Sequence, residues 1–150
     1  MSASHDLQRF VSAQDPVWDQ VTAELRQGRK TSHWMWFVFP QVLGLGMSAM
    51  SQRYALRSLD EARAYLAHPV LGRRTRECFE TLLTHVSASA HEILGSPDDM
   101  KLHSSLTLFR EAAPEEPLLQ AVLDRFFDGR PDPRTLSLLA SEPSSHPPAG

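Results

Sequence analysis

The stretch SHWMWFVFPQVLGLGMS, residues 32–48, decides how this chain is read. Trp34 to Phe39 is apolar at every position, so it shows neither the period of two that marks a half-buried strand nor the 3.6 period of an amphipathic helix. A buried strand would bring a sheet into the fold. A buried helical turn would leave the domain all-α. The run is short, Pro40 closes it, and the sequence on both sides is patterned for helices. We therefore read it as a brief helix that Pro40 ends, followed over residues 41–51 by a loop in which Gly44 and Gly46 permit backbone angles that other residues resist.

Outward from this segment, helix signals dominate. Leu7, Phe10 and Val11 stand at i, i+3 and i+4, a short amphipathic helix over residues 6–14. Asp15-Pro16 carries the grammar of an N-cap with proline at the first helical position. Val17, Trp18, Val21 and Leu25 continue an apolar face that Gly28 ends, with Arg29 and Lys30 at the C-terminal pole, where cations are favoured. Ser58 and Glu61 make a capping box for a helix through Leu59, Ala62 and Leu66 that stops before His68-Pro69. Pro69 opens the next helix, through Val70, Cys78, Leu82, Leu83 and Val86. SASAHEIL predicts a short helix to Gly95. Ser96-Pro97-Asp98-Asp99 repeats the start grammar for a helix to about Glu111. LLQAVLDRFF is the next, stopped at Asp128-Gly129, and a last short helix follows Pro133. Few segments alternate with period two. The sequence thus predicts a compact all-α domain over residues 1–140, a bundle of about seven or more short helices with room for one minor strand or hairpin. Residues 141–150, SEPSSHPPAG, are expected to be a disordered Pro/Ser-rich tail.

At 150 residues the chain is long enough to bury a core as one domain. Apolar content of 41% and charged content of 22% are ordinary for a globular protein. A net charge of −3 argues against nucleic acid as a partner, since binders carry a basic face. The basic run GRRTR, Gly72 to Arg76, is read as a solvated helix face. A lone cysteine, Cys78, allows no disulfide within the chain and sits in an apolar helical pattern, so it reads as a small buried hydrophobe. MSASHDLQRF has no apolar signal core, and no apolar run approaches the roughly 20 residues of a membrane span. The expectation is a cytoplasmic protein with no membrane partner.

The chemistry-bearing residues fall in two places. Trp34, Trp36, Phe37 and Phe39 serve a core, but two tryptophans beside His33 and Gln41, abutting a glycine-bearing loop, also describe a pocket wall with polar fixtures. Gly44, Gly46, Ser48 and Tyr54 would offer backbone and hydroxyl contacts to the same pocket. On the helix from Pro97, Leu102, Leu106 and Phe109 make the apolar face, with Asp98, Lys101, Ser105 and Leu108 along its flank. Lys101 with Asp98 one turn before it, and Ser104 and Ser105 one turn after, suggests an ammonium that holds phosphate or an amine that attacks a carbonyl, with Asp98 or Glu61 moving protons. His103 is read as facing outward on the same helix. The histidines are scattered and show no paired metal spacing, so neither metal nor cofactor is expected. Gly-x-Gly alone is a weak phosphate signal, and no nucleophile elbow or P-loop is present.

HWMWFVFPQVLGLGMSAMSQRYAL, EARAYLAHPVLGRR and GSPDDMKLHSSLTLF together resemble the family of small bacterial and plant proteins catalogued as domain of unknown function 1810, sometimes mislabelled calpastatin. The likeness covers most of residues 5–127. It implies a compact helical fold and no established activity. The order AYLAHPVLGRR, LL, EILGSPDDMK also looks faintly like the ADP-ribose-processing family typified by YbiA, although Met100 stands where that family has Trp-Gly. Two functional readings follow. One is an aromatic-walled pocket for a nucleotide or ADP-ribose-like small molecule, with hydrolysis a further step. The other is a non-catalytic protein-interaction or scaffold module using the aromatic segment or the face of Arg73, Arg74 and Arg76. Whether the protein is an enzyme stays open at this point.

Overall fold

The computed structural model describes residues 6–141. Of the tail expected over residues 141–150, residues 142–150 lie outside them, and Ser141 is the last residue of a helix rather than part of a tail. In chain order the helices are α1 (Gln8–Gln14), a 3-10 turn (Asp15–Val17), α2 (Trp18–Gln27), α3 (Met35–Val38), α4 (Ala49–Arg53), α5 (Leu59–Ala67), α6 (Leu71–Leu83), α7 (Ala90–Leu94), α8 (Asp98–Ala112), α9 (Pro117–Phe127) and α10 (Pro133–Ser141). The domain is all-α. Within the segment 34–39 the residues Met35–Val38 are helical, and among the described residues the room left for a minor strand is taken by one isolated parallel bridge between Val42 and Leu56. Its bonds run from Leu43 N–H to the Leu56 carbonyl at 2.8 Å and from Leu56 N–H to the Gln41 carbonyl at 2.9 Å. They hold the glycine loop against the body of the domain. Among the described residues no helix is long and apolar enough to cross a membrane.

Most boundaries follow local chemistry. Gly28 closes α2 at φ 74°, a left-handed angle that glycine adopts without strain. Ser58 caps α5 by accepting the Glu61 N–H at 3.1 Å, while the Glu61 carboxylate takes the N–H of Arg57 at 2.7 Å. Ser89 and Glu92 form a complete capping box on α7. Three expectations are corrected. Asp15 does not cap a helix: α1 runs on into the 3-10 turn, and the Asp15 carboxylate instead pairs with Arg74 at 2.8 Å. Ser96 does not cap α8, because its hydroxyl donates to the Asp99 carboxylate at 3.1 Å. Residues 49–53, expected in a loop, form α4, whose N–H of Ser51 is taken by the Ser48 hydroxyl.

The core is built around α8, which packs against α5, α7, α9 and α10. Every residue from Ser104 to Phe109 is buried, so this turn and a half is enclosed on all sides rather than along the single face expected from the sequence. Two of its three polar members turn inward on the helix: Ser104 and Thr107 donate to the carbonyls of Met100 and His103, one turn back, at 3.1 and 2.8 Å. Rings extend the core in two chains. Phe10 meets Tyr65 edge-on at 5.0 Å, and Tyr65 meets Phe109 at 5.3 Å. Trp34 meets Phe39 at 6.2 Å, and Phe39 stacks on Phe79 at 5.5 Å. Cys78 is buried as expected, and desolvation pushes its thiol well above the usual range.

The α5–α6 corner is the tightest backbone approach. A Cβ on Gly72 would fall 2.0 Å from the carbonyl oxygen of Leu66, which also accepts from Arg76. Gly72→Ala must push α6 off α5 and is expected to cost about 1–3 kcal/mol or more, as overpacked cores do. Urea denaturation of the two proteins measures this, and an unchanged midpoint would refute the close approach.

Candidate functional site

The placement of the aromatic segment begins at Glu24. It stands one turn after Val21 on the apolar face of α2, and its side chain is only 5% exposed. A carboxylate there needs donors. Five converge on it: Thr31 N–H at 2.9 Å, Thr31 hydroxyl at 3.0 Å, Ser32 N–H at 3.1 Å, Ser32 hydroxyl at 2.5 Å and the Trp34 indole N–H at 2.9 Å. Burial pushes the Glu24 carboxyl upward, but the bonds from Ser32, Thr31 and Trp34 outweigh it and hold the group at about 2. The turn after Gly28 is thereby wrapped around a fixed charge.

That turn sets a lysine beside α8. Lys30 Nζ lies 2.7 Å from Asp98 and 4.9 Å from the centroid of the Trp34 ring, and donates to the Ser32 carbonyl at 2.6 Å. Asp98 also stands 4.0 Å from Lys101, whose ammonium sits 5.4 Å from the centroid of Trp36. A carboxylate is thus shared between two lysines, each held over an indole face. The sequence pairs Asp98 with Lys101; the structure adds Lys30 as the closer partner.

Beyond Lys101 opens a cleft of about 210 Å³. One wall is the glycine loop, with Gln41, Leu45 and Gly46. The floor is the first half of α8, with Met100, Lys101, His103 and Ser104. The third side is the start of α10, with Asp132 and Arg134. Among the described residues Arg134 has no hydrogen-bonding or ionic partner, nor has the Gln41 side-chain amide. His103 stacks on Phe127 at 4.1 Å and its Nε2 meets the Arg130 carbonyl at 2.6 Å. A carbonyl only accepts, so Nε2 is the donor of this bond. A second, more open depression of about 440 Å³ lies beside the first and shares Leu45 and Arg134 with it. Gly44, Pro133, Ser137 and Leu138 complete its lining.

The structure gathers part of the site expected from sequence. Lys101, Gln41, Gly46 and Ser104 line the cleft, Asp98 and Trp36 adjoin it through Lys101, and Gly44 lines the neighbouring depression. Trp34 does not form a wall: at 1% exposure its ring is enclosed and its indole N–H is spent on Glu24. Tyr54 is buried between Phe10 and Phe37, at 5.7 and 5.4 Å. Ser48 is the cap of α4, His33 is exposed, and Ser105 is enclosed in the core with no hydrogen bond to its hydroxyl. His103, read from sequence as facing outward, is half-buried and lines the cleft, because α9 and the turn after it cover that side of α8. Asp132 and Arg134 were missed. The signal for them was Asp132-Pro133, a cap-and-proline start whose place beside α8 no local pattern reveals. Of the three arginines in GRRTR, two are committed inward: Arg74 to Asp15, to Gln14 at 3.3 Å and over Trp18 at 4.9 Å, and Arg76 to Glu116 at 2.7 and 2.9 Å.

A family model described as protein of unknown function (DUF1810) matches residues 4–139, and the chain belongs to that family. It is similar to the conserved hypothetical protein Rv1873 from Mycobacterium tuberculosis, known from a crystal structure, with 50% identity and a TM-score of 0.88 over 90% of this chain and 96% of that one. No curated protein matches.

The Glu24 network yields an acid-stability prediction. Its carboxyl is depressed from 4.5 in the open chain to about 2 in the folded one. The stability it contributes is complete above pH 4.5 and is lost as pH falls through about 2. The size is on the order of 3 kcal/mol. Glu24→Gln, which keeps one acceptor and sets an amide against the remaining donors, is expected to lower stability at pH 7 by about 2–4 kcal/mol. It should also flatten the fall between pH 4.5 and 2. Urea melts of both proteins across that range check this; equal acid limbs would rule it out.

Proposed function

We propose that this family member binds a small phosphate-bearing molecule of nucleotide or ADP-ribose type, with the anionic group held by Lys101 and Arg134. The observation that carries the reading is the convergence, on one concave cleft, of two cations from sequence-distant helices. Neither is neutralised by a close ion pair there: Lys101 has Asp98 only at 4.0 Å, and Arg134 has no partner among the described residues. Charge-assisted bonds to phosphate are the strong use of such groups. The Gln41 amide can add a donor or an acceptor.

Size supports a two-part fit. Ligand pockets commonly run to about 300–1,000 Å³, and the cleft at about 210 Å³ suits a phosphate with a sugar-sized neighbour rather than a whole dinucleotide. The depression beyond Leu45 and Arg134 offers room for the remainder. Ring stacking on Trp34 has no support, since that indole is enclosed. Hydrolysis has less support than binding, because Asp98, the carboxylate paired with Lys101 in the sequence reading, is held by Lys30 at 2.7 Å.

A second reading, a protein-interaction module, rests on a separate observation. Leu43 and Met47, on the loop that forms one wall, are 44% and 77% exposed, and Met100 on the floor is 60% exposed. Exposed methionines make adaptable apolar contacts. The arginine face proposed for a partner is weaker support, since Arg74 and Arg76 are already engaged.

Titration with ADP-ribose, AMP and inorganic phosphate, followed by calorimetry and by tryptophan emission, tests the first reading. Saturable binding is expected, weakened about tenfold or more by Lys101→Ala and by Arg134→Ala. Absence of binding by all three at millimolar concentration would sink it and leave the methionine-bearing surface as the better account.

A further inference from the structure

We infer that Asp132 is the hydroxyl-reading residue of the cleft, so that the ligand class is a phosphorylated sugar rather than a bare anion; this rests on the binding reading above. Asp132 is fixed by one of its two oxygens. Oδ2 accepts from the Thr135 N–H at 3.2 Å and the Thr135 hydroxyl at 2.6 Å, and shares the single proton of the Ser104 hydroxyl, 3.1 Å away, with the Met100 carbonyl. The backbone N–H of Asp132 donates to the Thr107 hydroxyl at 2.9 Å. Two successive turns of α8 and the first turn of α10 therefore set both the position and the rotation of this carboxylate. Its other oxygen, Oδ1, makes no hydrogen bond or ion pair with any described residue, although the side chain lines the same cleft as Lys101 and Arg134.

The combination is selective. A phosphate or sulfate ion drawn in by the two cations meets Asp132 as a like charge. A ligand that carries a hydroxyl next to its phosphate turns the same oxygen into the acceptor of a charge-assisted hydrogen bond. A site built to accept from a hydroxyl discriminates strongly against a ligand that lacks it. The cleft volume of about 210 Å³ suits a pentose phosphate fragment.

The test compares ribose 5-phosphate with methyl phosphate on the full chain, by calorimetry. The wild type is expected to bind ribose 5-phosphate about tenfold tighter. Asp132→Asn keeps an acceptor for Thr135 and Ser104, and asparagine caps helices as well as aspartate. It places an amide where the free oxygen stood. It should abolish the preference while leaving methyl phosphate bound at least as tightly. Arg134→Gln, at an exposed side chain, should weaken both ligands alike and keep the preference. Equal affinity for the two in the wild type, or a preference that survives Asp132→Asn, overturns the role of Asp132 while phosphate binding stands. Failure of both ligands to bind the wild type overturns the phosphate reading itself and this inference with it.

Discussion

The buried carboxylate of Glu24 constrains the rest of the architecture. An ionised group that is 5% exposed is tolerated only when its lone pairs are satisfied, and here the backbone and side chains of Thr31 and Ser32 and the indole of Trp34 supply the donors. The chain leaving α2 has little freedom left. Gly28 reverses it, Thr31 and Ser32 close on the carboxylate, and Trp34 enters the core with its ring enclosed and its N–H bonded. The same turn delivers Lys30 to Asp98 at the start of α8. One charge on α2 thereby determines where the aromatic segment sits and how the first turn of α8 is tethered.

The second organising element is α8 itself. A helix surrounded by four others has no solvent side over its middle, and its serines and threonines cannot reach water. Ser104 and Thr107 resolve this by bonding to carbonyls in the preceding turn and to Asp132. The polar flank of the helix thus becomes the mount for the segment that enters α10. This is why the cleft has a third side, and why a carboxylate with one oxygen unbonded to any described residue stands within it.

Arginines do much of the remaining fastening. Arg9 donates to the carbonyls of Arg53 and Ala55, Arg63 to that of Ala112, and Arg125 to those of His85 and Ala88. Each guanidinium satisfies carbonyls at helix ends or in the turns between helices, where the helix ladder supplies no partner. Short helices joined by irregular turns have many such carbonyls. A count of basic residues therefore overstates how much positive surface is free for a partner, as Arg74 and Arg76 also illustrate.

The sequence by itself determined the helical character, most helix ends and the burial of Cys78, because caps, glycine stops and proline starts act within one turn of chain. It marked Lys101 and its neighbourhood through the company of Asp98 and Ser104. It did not single out Glu24, although an acid one turn from Val21 on an apolar face was a signal that could have been read. Tertiary structure alone decided that Trp34 is core while Trp36 meets Lys101, that Lys30 takes Asp98, and that His103 turns toward the cleft. It also brought Gln41, Lys101, Asp132 and Arg134 to one hollow. Gln41, Lys101 and the pair Asp132 and Arg134 are separated from one another by tens of residues, and no periodicity spans such distances. Their meeting depends on how α8 is enclosed and on the donors that Glu24 gathers, which are properties of the packed chain.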